Sequence, residues 1–224
     1  GWHPMAKDVG CFGVDPYNRS KTADGRGSFG SIHLSTVSNT TYLPNNAFIL
    51  EYIDRPHKVE LFFEDVIMAM VYYSMPMLCE LSNEHFLKIL KQRGYRHYSL
   101  NNPFKPFNKL NPTEKELGGA PQQNTKIGDQ QFYAIETYIE DHVGVARTDT
   151  HRATGEMGFM PFTRTLEQWK DVDTANRTKY DAYISSSLSR LGNQRRKPMI
   201  KTQPKRTANV FTKYNNTGTI SKIA

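Results

Sequence analysis

Three acidic residues lie where the hydrophobic pattern predicts the end of a strand or the start of a helix. Asp15 ends the apolar run 10–14, and Glu80 ends the apolar run 75–79. Asp181 lies near the start of a helix predicted over residues 175–191. Carboxylates held together by rigid elements are typical ligands of Mg²⁺ or Mn²⁺ in enzymes that cut phosphodiester bonds. The three acids therefore predict a metal-dependent phosphodiesterase.

Asp15 and Glu80 each have a simpler interpretation when taken alone. Asp15 precedes Pro16, and this dipeptide is typical of a turn after a strand. Glu80 could be a surface acid at the mouth of a loop. Two carboxylates at the ends of adjacent strands repel each other, which raises the pKa of one of them, and a divalent cation relieves that repulsion.

Asp181 is the most informative of the three acids, because it lies at the margin of a buried helix face. That face is marked by the apolar residues Tyr180, Ile184, Leu188 and Leu191. The small residues between them let the helix approach the sheet closely, so a carboxylate here points towards protein and needs a partner or a metal. Asp171 and Asp173 are alternative third acids, although their position is more typical of a helix cap.

Hydrophobic periodicity predicts the elements that position these acids. Strands are expected at 10–15, 29–37, 47–53, 77–81 and 96–100, and helices at 59–74, 84–93 (capped by Asn83), 129–143, 164–170 and 175–191. Residues 101–128 and 144–162 are predicted loops, and the helix 129–143 is expected to direct Phe132, Ile135 and Ile139 inward. This order predicts an α/β fold in which helices pack on a mixed sheet.

The positive charge of the chain is concentrated at one end. The formal net charge is +7, but residues 193–224 hold eight basic residues and no acid. Residues 1–192 hold the other 21 basic residues and all 22 acidic ones. We therefore predict a domain over 1–192 and a flexible tail over 193–224 that contacts a polyanion, most often nucleic acid, although a merely solvated tail has the same composition. The expected DNA-binding residues are Arg26, in the Gly-rich segment 24–28, and Arg195, Arg196, Lys197, Lys201, Lys205 and Arg206 of the tail.

The cysteine, histidine and hydropathy patterns argue against a zinc site and against a membrane-spanning segment. Cys11 and Cys79 lie in apolar runs, which favours buried thiols in a reducing compartment over a thiolate zinc site. The histidines lack the spacing of metal ligands; His85, five residues after Glu80, could neighbour the site, but a surface or core histidine is the better interpretation. No apolar run is long enough to span a membrane.

The motifs together resemble the nuclease domain of the large terminase subunit of tailed bacteriophages, a ribonuclease H-like fold. The resemblance covers nearly the whole chain up to Gly192. It rests on the segments Gly13-Val14-Asp15-Pro16-Tyr17, Cys79-Glu80-Leu81-Ser82-Asn83 and Lys179-Tyr180-Asp181-Ala182. The first segment and the insert before Gly27-Ser28 are also similar to the terminases of crAss-like gut phages.

The resemblance implies that Asp15, Glu80 and Asp181 form a triad that binds two Mg²⁺ or Mn²⁺ ions, Asp15 bridging both. It implies cleavage of double-stranded DNA during genome packaging, in the cytoplasm of the host cell. The implied partners are a terminase ATPase domain, a portal and a small terminase subunit. The chain has no Gly-x-x-x-x-Gly-Lys-Ser/Thr segment, so we expect the packaging ATPase to lie outside it.

Two other functions fit the same residues. A junction resolvase or transposase of the same fold would use the same acids without a packaging ATPase. A DNA-binding module with a vestigial site would keep the basic tail but would not respond to Mn²⁺.

Overall fold

The computed structural model describes residues 9–17, 28–37, 46–81, 84–121, 125–143, 160–173 and 179–195. The strands are β1 (Gly10–Asp15), β2 (Gly30–Thr36), β3 (Phe48–Asp54) and β4 (Met77–Cys79). The helices are α1 (Val59–Tyr73), α2 (Glu84–Gln92), α3 (Pro112–Leu117), α4 (Thr125–Val143), α5 (Thr163–Asp171) and α6 (Asp181–Arg195). The described part of the chain is therefore a mixed α/β structure, as the sequence predicted.

The four strands form one mixed sheet in the order β3-β2-β1-β4. β1, β2 and β3 are antiparallel neighbours, and β4 lies parallel to β1 on its other side. The register pairs Asp15 with Ser31 across β1 and β2, and Val14 with Cys79 across β1 and β4. The carboxyl ends of β1 and β4 therefore meet at one edge of the sheet.

Alternation along the strands divides the interior into two layers. Phe12 and Val14 of β1 point into a core shared with α1 and α2. Cys11 of β1 and Leu78 of β4 point to the opposite face, where α4, α5 and α6 pack. Because successive side chains of a strand alternate between faces, Asp15 and Glu80 belong to the α6 side of the sheet.

α6 lies very close to the sheet because small residues line the contact. A Cβ atom on Gly13 would fall well inside van der Waals contact with the Ser185 carbonyl oxygen and the Ser189 nitrogen. The serine hydroxyls bond the two elements directly: Ser189 Oγ donates to the Cys11 carbonyl oxygen at 2.7 Å. The small residues of the last helix thus have the role that the sequence predicted for them.

The predicted strand 96–100 and the predicted loop 101–128 are both wrong in part. Arg96–Tyr98 forms a turn of 3₁₀ helix, and only Ser99 makes a bridge, to Met77. Within 101–128, α3 is stabilised by a capping box in which Asn111 Oδ1 accepts from the Glu114 N–H and the Glu114 carboxylate accepts from the Asn111 N–H. The segment is thus partly ordered by its own cap.

Two helix predictions need correction. α4 begins at Thr125, and the side chains that it buries include Ile127, Ile135 and Tyr138, whereas Phe132 is 38 % exposed. Phe132 follows the buried Gln131, so it is turned about 100° away from the packed face. α6 begins at Asp181 and not at 175, and it ends at Arg195.

The first residues of the predicted tail belong to α6. Asn193 is buried, and its Nδ2 donates to the Ser35 carbonyl oxygen and to Ser35 Oγ, both at 2.8 Å. The boundary predicted after Gly192 therefore lies inside a helix, and residues 196–224 lie outside the described residues. Within the described ranges, no helix combines the length and the apolar character that crossing a membrane requires.

Candidate functional site

Asp15 and Glu80 occupy equivalent places on two parallel neighbours. Asp15 is the last residue of β1, and Glu80 directly follows β4. The Glu80 N–H donates to the Val14 carbonyl oxygen at 3.3 Å, so Glu80 continues the ladder between the two strands. Both side chains are buried, at 8 % and 6 % exposure. The sequence predicted this placement from the apolar runs that the two acids end.

Asp181 approaches the same edge from the helix layer. It is the first residue of α6 and is 7 % exposed. Its Oδ1 accepts a hydrogen bond from Ser28 Oγ at 2.7 Å, and its Oδ2 accepts one from the Phe29 N–H at 2.9 Å. These two bonds hold the start of α6 to the residues that lead into β2, which sequence patterning did not identify.

The three carboxylates influence one another electrostatically. Burial raises the pKa of Asp15 well above its usual range, and the neighbouring charges of Glu80 and Asp181 raise it further. Burial also raises the pKa of Asp181, although its bonds to Ser28 and Phe29 oppose that shift. Glu80 and Asp181 thus lie near enough to Asp15 for their charges to disfavour its ionised form, and the three residues are called the carboxylate cluster below.

The cluster is not a preformed metal cage. Within the described ranges, no three His, Cys, Asp or Glu side chains are arranged so that they could hold a metal ion as they stand. Both Asp181 oxygens already accept hydrogen bonds, from Ser28 and Phe29. A metal ion bound by Asp181 would therefore have to share those oxygens with the two donors. The two bound ions stay a prediction.

Two arginines that the sequence analysis missed lie beside the acids. The positive charges of Arg164 and Arg55 both lower the pKa of Asp181. The Arg55 guanidinium lies 4.9 Å from the centre of the Tyr17 ring, and its Nη1 donates to the Ser28 carbonyl oxygen. The Arg164 guanidinium lies 4.7 Å from the centre of the Phe29 ring. Arg55 directly follows β3 at Asp54, so a search for cations after strands could have found it.

A buried network of polar side chains lies around His33, near Asp181. Fully buried His33 of β2 has Nδ1 2.7 Å from Ser185 Oγ and Nε2 2.7 Å from Thr165 Oγ1. Thr165 donates its hydroxyl hydrogen to the Glu51 carboxylate, so it accepts from His33 Nε2–H and leaves Nδ1 as an acceptor for Ser185. Burial lowers the pKa of His33, against the opposing influence of Glu51. The ring is therefore a neutral core histidine.

The other predicted residues lie away from the cluster or outside the described ranges. Asp171 and Asp173 are exposed, so neither is a third buried acid. His85 is exposed and its ring contacts Phe63, on the α1 side of the sheet. Cys11 and Cys79 are buried, as expected. The predicted DNA-binding residues Arg26, Arg196, Lys197, Lys201, Lys205 and Arg206 lie outside the described residues, and Arg195 is the last residue of α6.

Comparisons with known protein families, with curated proteins and with solved structures find no match for this chain. The chemistry of the site therefore follows from its own residues. These are three buried carboxylates at one sheet edge, with Arg55 and Arg164 beside them.

Proposed function

We propose that this chain is a divalent-metal-dependent endonuclease that cuts double-stranded DNA. The observation that carries the proposal is the meeting of three buried carboxylates at one edge of the sheet: Asp15 and Glu80 end neighbouring parallel strands, and Asp181 begins the helix that packs on them. Their charges repel one another, since Glu80 and Asp181 both raise the pKa of Asp15. A fold tolerates such mutual repulsion poorly unless a cation compensates it. A cluster of perturbed carboxylates is also a recognised mark of a functional site.

The chain order of the elements supports the finer assignment to a ribonuclease H-like terminase nuclease domain. Three antiparallel strands are followed by α1, by β4 beside β1, and by α2. The acids follow β1 and β4 and begin α6, which agrees with the resemblance of the three segments. Host cytoplasm and the terminase ATPase domain, portal and small subunit are proposed on that resemblance.

The donor set fits hard divalent cations. All three side chains offer carboxylate oxygens, which Mg²⁺ and Mn²⁺ prefer, and no thiolate or imidazole is part of the cluster. Asp15 would hold both ions, with Glu80 and Asp181 each completing one site. When bound, such ions activate water and stabilise the charge of a phosphodiester under attack.

The protein residues have separable tasks around that chemistry. Ser28 and the Phe29 N–H orient the Asp181 carboxylate through both of its oxygens. Arg55 and Arg164 offset part of the negative charge near Asp181. An approaching phosphate, itself an anion, would otherwise be repelled by three carboxylates, so these arginines favour substrate entry.

The test is nicking of supercoiled plasmid by the purified chain in Mn²⁺, in Mg²⁺ and in EDTA. We expect nicking with either metal and none in EDTA. Equal nicking in all three conditions would point to a contaminating activity, and no nicking in Mn²⁺ would contradict the proposal.

A non-catalytic DNA-binding module is the second candidate, and one observation favours it. The described residues contain no arrangement of three ligands ready to hold a metal. A calorimetric titration of Mn²⁺ into the protein distinguishes the two functions. Saturable binding that Asp15→Asn removes supports the nuclease, and its absence supports the module.

A further inference from the structure

A pocket of about 790 Å³ opens beside the carboxylate cluster. It lies where β1 and β3 end and α1 begins, and it is lined by Tyr17 and residues 55–60. Ligand pockets commonly have volumes in this range. The pocket is therefore large enough for a phosphodiester together with part of its sugar, and none of the three cluster acids lines it.

Arg55 connects this pocket to the acids. It lines the pocket, its guanidinium packs over the Tyr17 ring, and its Nη1 donates to the Ser28 carbonyl oxygen. Ser28 Oγ in turn donates to Asp181. Tyr17 follows Asp15 by two residues and is fixed by a 2.7 Å bond from its hydroxyl to the Pro56 carbonyl oxygen. The pocket and the cluster are thus linked by hydrogen bonds through Arg55 and Ser28.

The charges around the pocket suit an anion. Arg55 and Lys58 are cationic and His57 offers an imidazole, while Glu60 lines the pocket and Asp54, which accepts from the Arg55 N–H, lies at its edge. His57 and Lys58 are exposed, so a ligand can reach them without any rearrangement. Exposed basic side chains are the usual contacts to a nucleic-acid backbone.

We propose that this pocket holds a backbone phosphate of the DNA strand that lies across the carboxylate cluster. This inference rests on the proposed nuclease function, and it assigns Arg55, His57 and Lys58 as a second contact point beside the cutting site. The contact is to phosphate and sugar, so it fixes the position of the strand without reading sequence.

A double variant tests the pocket without touching the cluster. His57→Ala with Lys58→Ala removes two exposed side chains and leaves Arg55 to hold Ser28. The matched control is His97→Ala with Lys109→Ala, which removes the same residue types from exposed positions elsewhere. Binding of a fluorescein-labelled DNA duplex is measured by anisotropy in EDTA, where no cleavage occurs, over a series of NaCl concentrations.

The pocket variant should bind the duplex more weakly than both the wild type and the control. Because the slope of log affinity against log salt falls by about 0.9 for each phosphate that the protein no longer neutralises, we expect a slope reduced by roughly 1, for the one phosphate in the pocket, and a Kd at least about fivefold higher at low salt. A pocket variant that matches the control, or a wild type that does not bind the duplex, would overturn the proposal.

The same protein preparations separate this proposal from the nuclease itself. If the wild type nicks plasmid in Mn²⁺ but the pocket variant binds DNA normally, the pocket assignment fails and the nuclease stands. If the wild type does not nick but the pocket variant loses DNA affinity, the nuclease fails and the phosphate contact stands.

Discussion

Asp15 is the residue at which function and stability oppose each other most directly. Its carboxylate is buried between β1 and α6, and both neighbouring acids raise its pKa. A charge in this place destabilises the metal-free fold, whereas a neutral group of the same shape does not. Residues kept in spite of such a cost are typically those that a site requires.

Asp15→Asn should abolish metal-dependent nicking and stabilise the metal-free protein. Loss of a group that stabilises charge in the transition state costs on the order of 10²–10³-fold in rate, so we expect residual nicking below about one hundredth of the wild-type level. The amide cannot ionise, so the repulsion from Glu80 and Asp181 disappears. Urea unfolding in EDTA at pH 8 should show a higher midpoint for the variant.

The contribution of Asp15 to the free energy of unfolding changes with pH in a direction that its raised pKa determines. The folded pKa of Asp15 is raised above that of the unfolded chain, so the folded state binds more protons between the two values. The contribution of Asp15 therefore becomes more favourable as pH falls through the raised pKa towards about 4, the ordinary Asp value. The variant should lack this change. Asp129→Asn, on an exposed part of α4, is the control and should keep the wild-type change of stability with pH. An Asp15→Asn protein no more stable than the wild type at pH 8 would contradict the electrostatic account.

At the scale of elements, the contact between α6 and the sheet sets the position of Asp181. Gly13 has no room for a side chain, because a Cβ there would overlap backbone atoms of Ser185 and Ser189. Backbone atoms cannot rotate away as a side chain can, so the helix itself would have to move. Asp181 begins that helix and would move with it.

Gly13→Ala should therefore reduce both stability and nicking. Overpacking of a close interface costs about 1–3 kcal/mol and occasionally more, and displacement of α6 should break the bonds from Ser28 and Phe29 to Asp181. Thermal unfolding gives the first quantity and plasmid nicking in Mn²⁺ the second. Ser187→Ala is the control on the same helix, where Ser187 Oγ bonds the Ile184 carbonyl oxygen of its own helix. Normal nicking by a folded Gly13→Ala protein would show that the position of α6 is not critical.

His33→Gln should change how stability responds to acid. Gln keeps a donor for Thr165 but has no atom at the place of Nδ1. Ser185 Oγ keeps the Asp181 carbonyl oxygen and Ser31 Oγ as partners, so we expect the loss of one hydrogen bond, about 0.5–1.5 kcal/mol at pH 7. In the wild type the folded pKa of His33 is lowered, so the unfolded chain takes up protons first and the stabilising contribution is lost as pH falls below about 6.5. The variant should lose less stability than the wild type between pH 7 and pH 5.

The groups around His33 are Ser185, Thr165 and Glu51, so its acid response can be read against a defined environment. His97→Gln, at an exposed position, is the matched control and should follow the wild-type pH profile. If His33→Gln also followed the wild-type profile, the neutral assignment of the buried ring would be wrong.

The hydrophobic pattern of the sequence predicted those strands and helices in which apolar residues repeat regularly. β1 was predicted with the observed bounds, and α1 and α2 to within one residue, because apolar residues recur at strand or helix spacing. The failures lie where another interaction outweighs periodicity. Ser99 bonds the Leu117 carbonyl oxygen and pairs only once with the sheet, and α3 depends on its capping box.

Only some residues of the candidate site could be predicted from the sequence, for a similar reason. Asp15, Glu80 and Asp181 could be predicted because each ends or begins an element. The position of Arg55 after a strand could be read from the sequence, but the contacts that link Arg55 and Ser28 to Asp181 could not. Those contacts cross long separations in sequence and depend on how α6 docks. Long-range side-chain contacts carry no periodic signal in a single sequence.

At the scale of the whole molecule, the excess of basic charge lies in one terminal segment of the sequence. Residues 193–224 hold eight basic residues and no acid, while the three cluster acids all lie in the described part of the chain before Arg195. Because Asn193 is anchored to Ser35, the cut that tests this segment must follow Arg195 and not Gly192.

Truncation after Arg195 should weaken DNA binding and leave Mn²⁺ binding intact. The cut removes seven of the eight basic residues, and the slope of log affinity against log salt should fall by about 0.9 for every phosphate that those residues neutralise. DNA anisotropy over a salt series and Mn²⁺ calorimetry measure the two effects. A replacement segment of the same length with Gln for each Lys and Arg is the control for length. An unchanged salt slope would show that the segment does not contact DNA.

The bond between Ser28 and Asp181 spans 153 residues of sequence, and this separation has a consequence for how the protein is made. A ribosome delivers β1 to β4 long before it delivers α6, so a nascent chain carries Asp15 and Glu80 without their third partner. Closing so long a loop is also slow relative to local folding. The proposed cutting site therefore becomes complete only after α6 has been synthesised, late in the production of the chain.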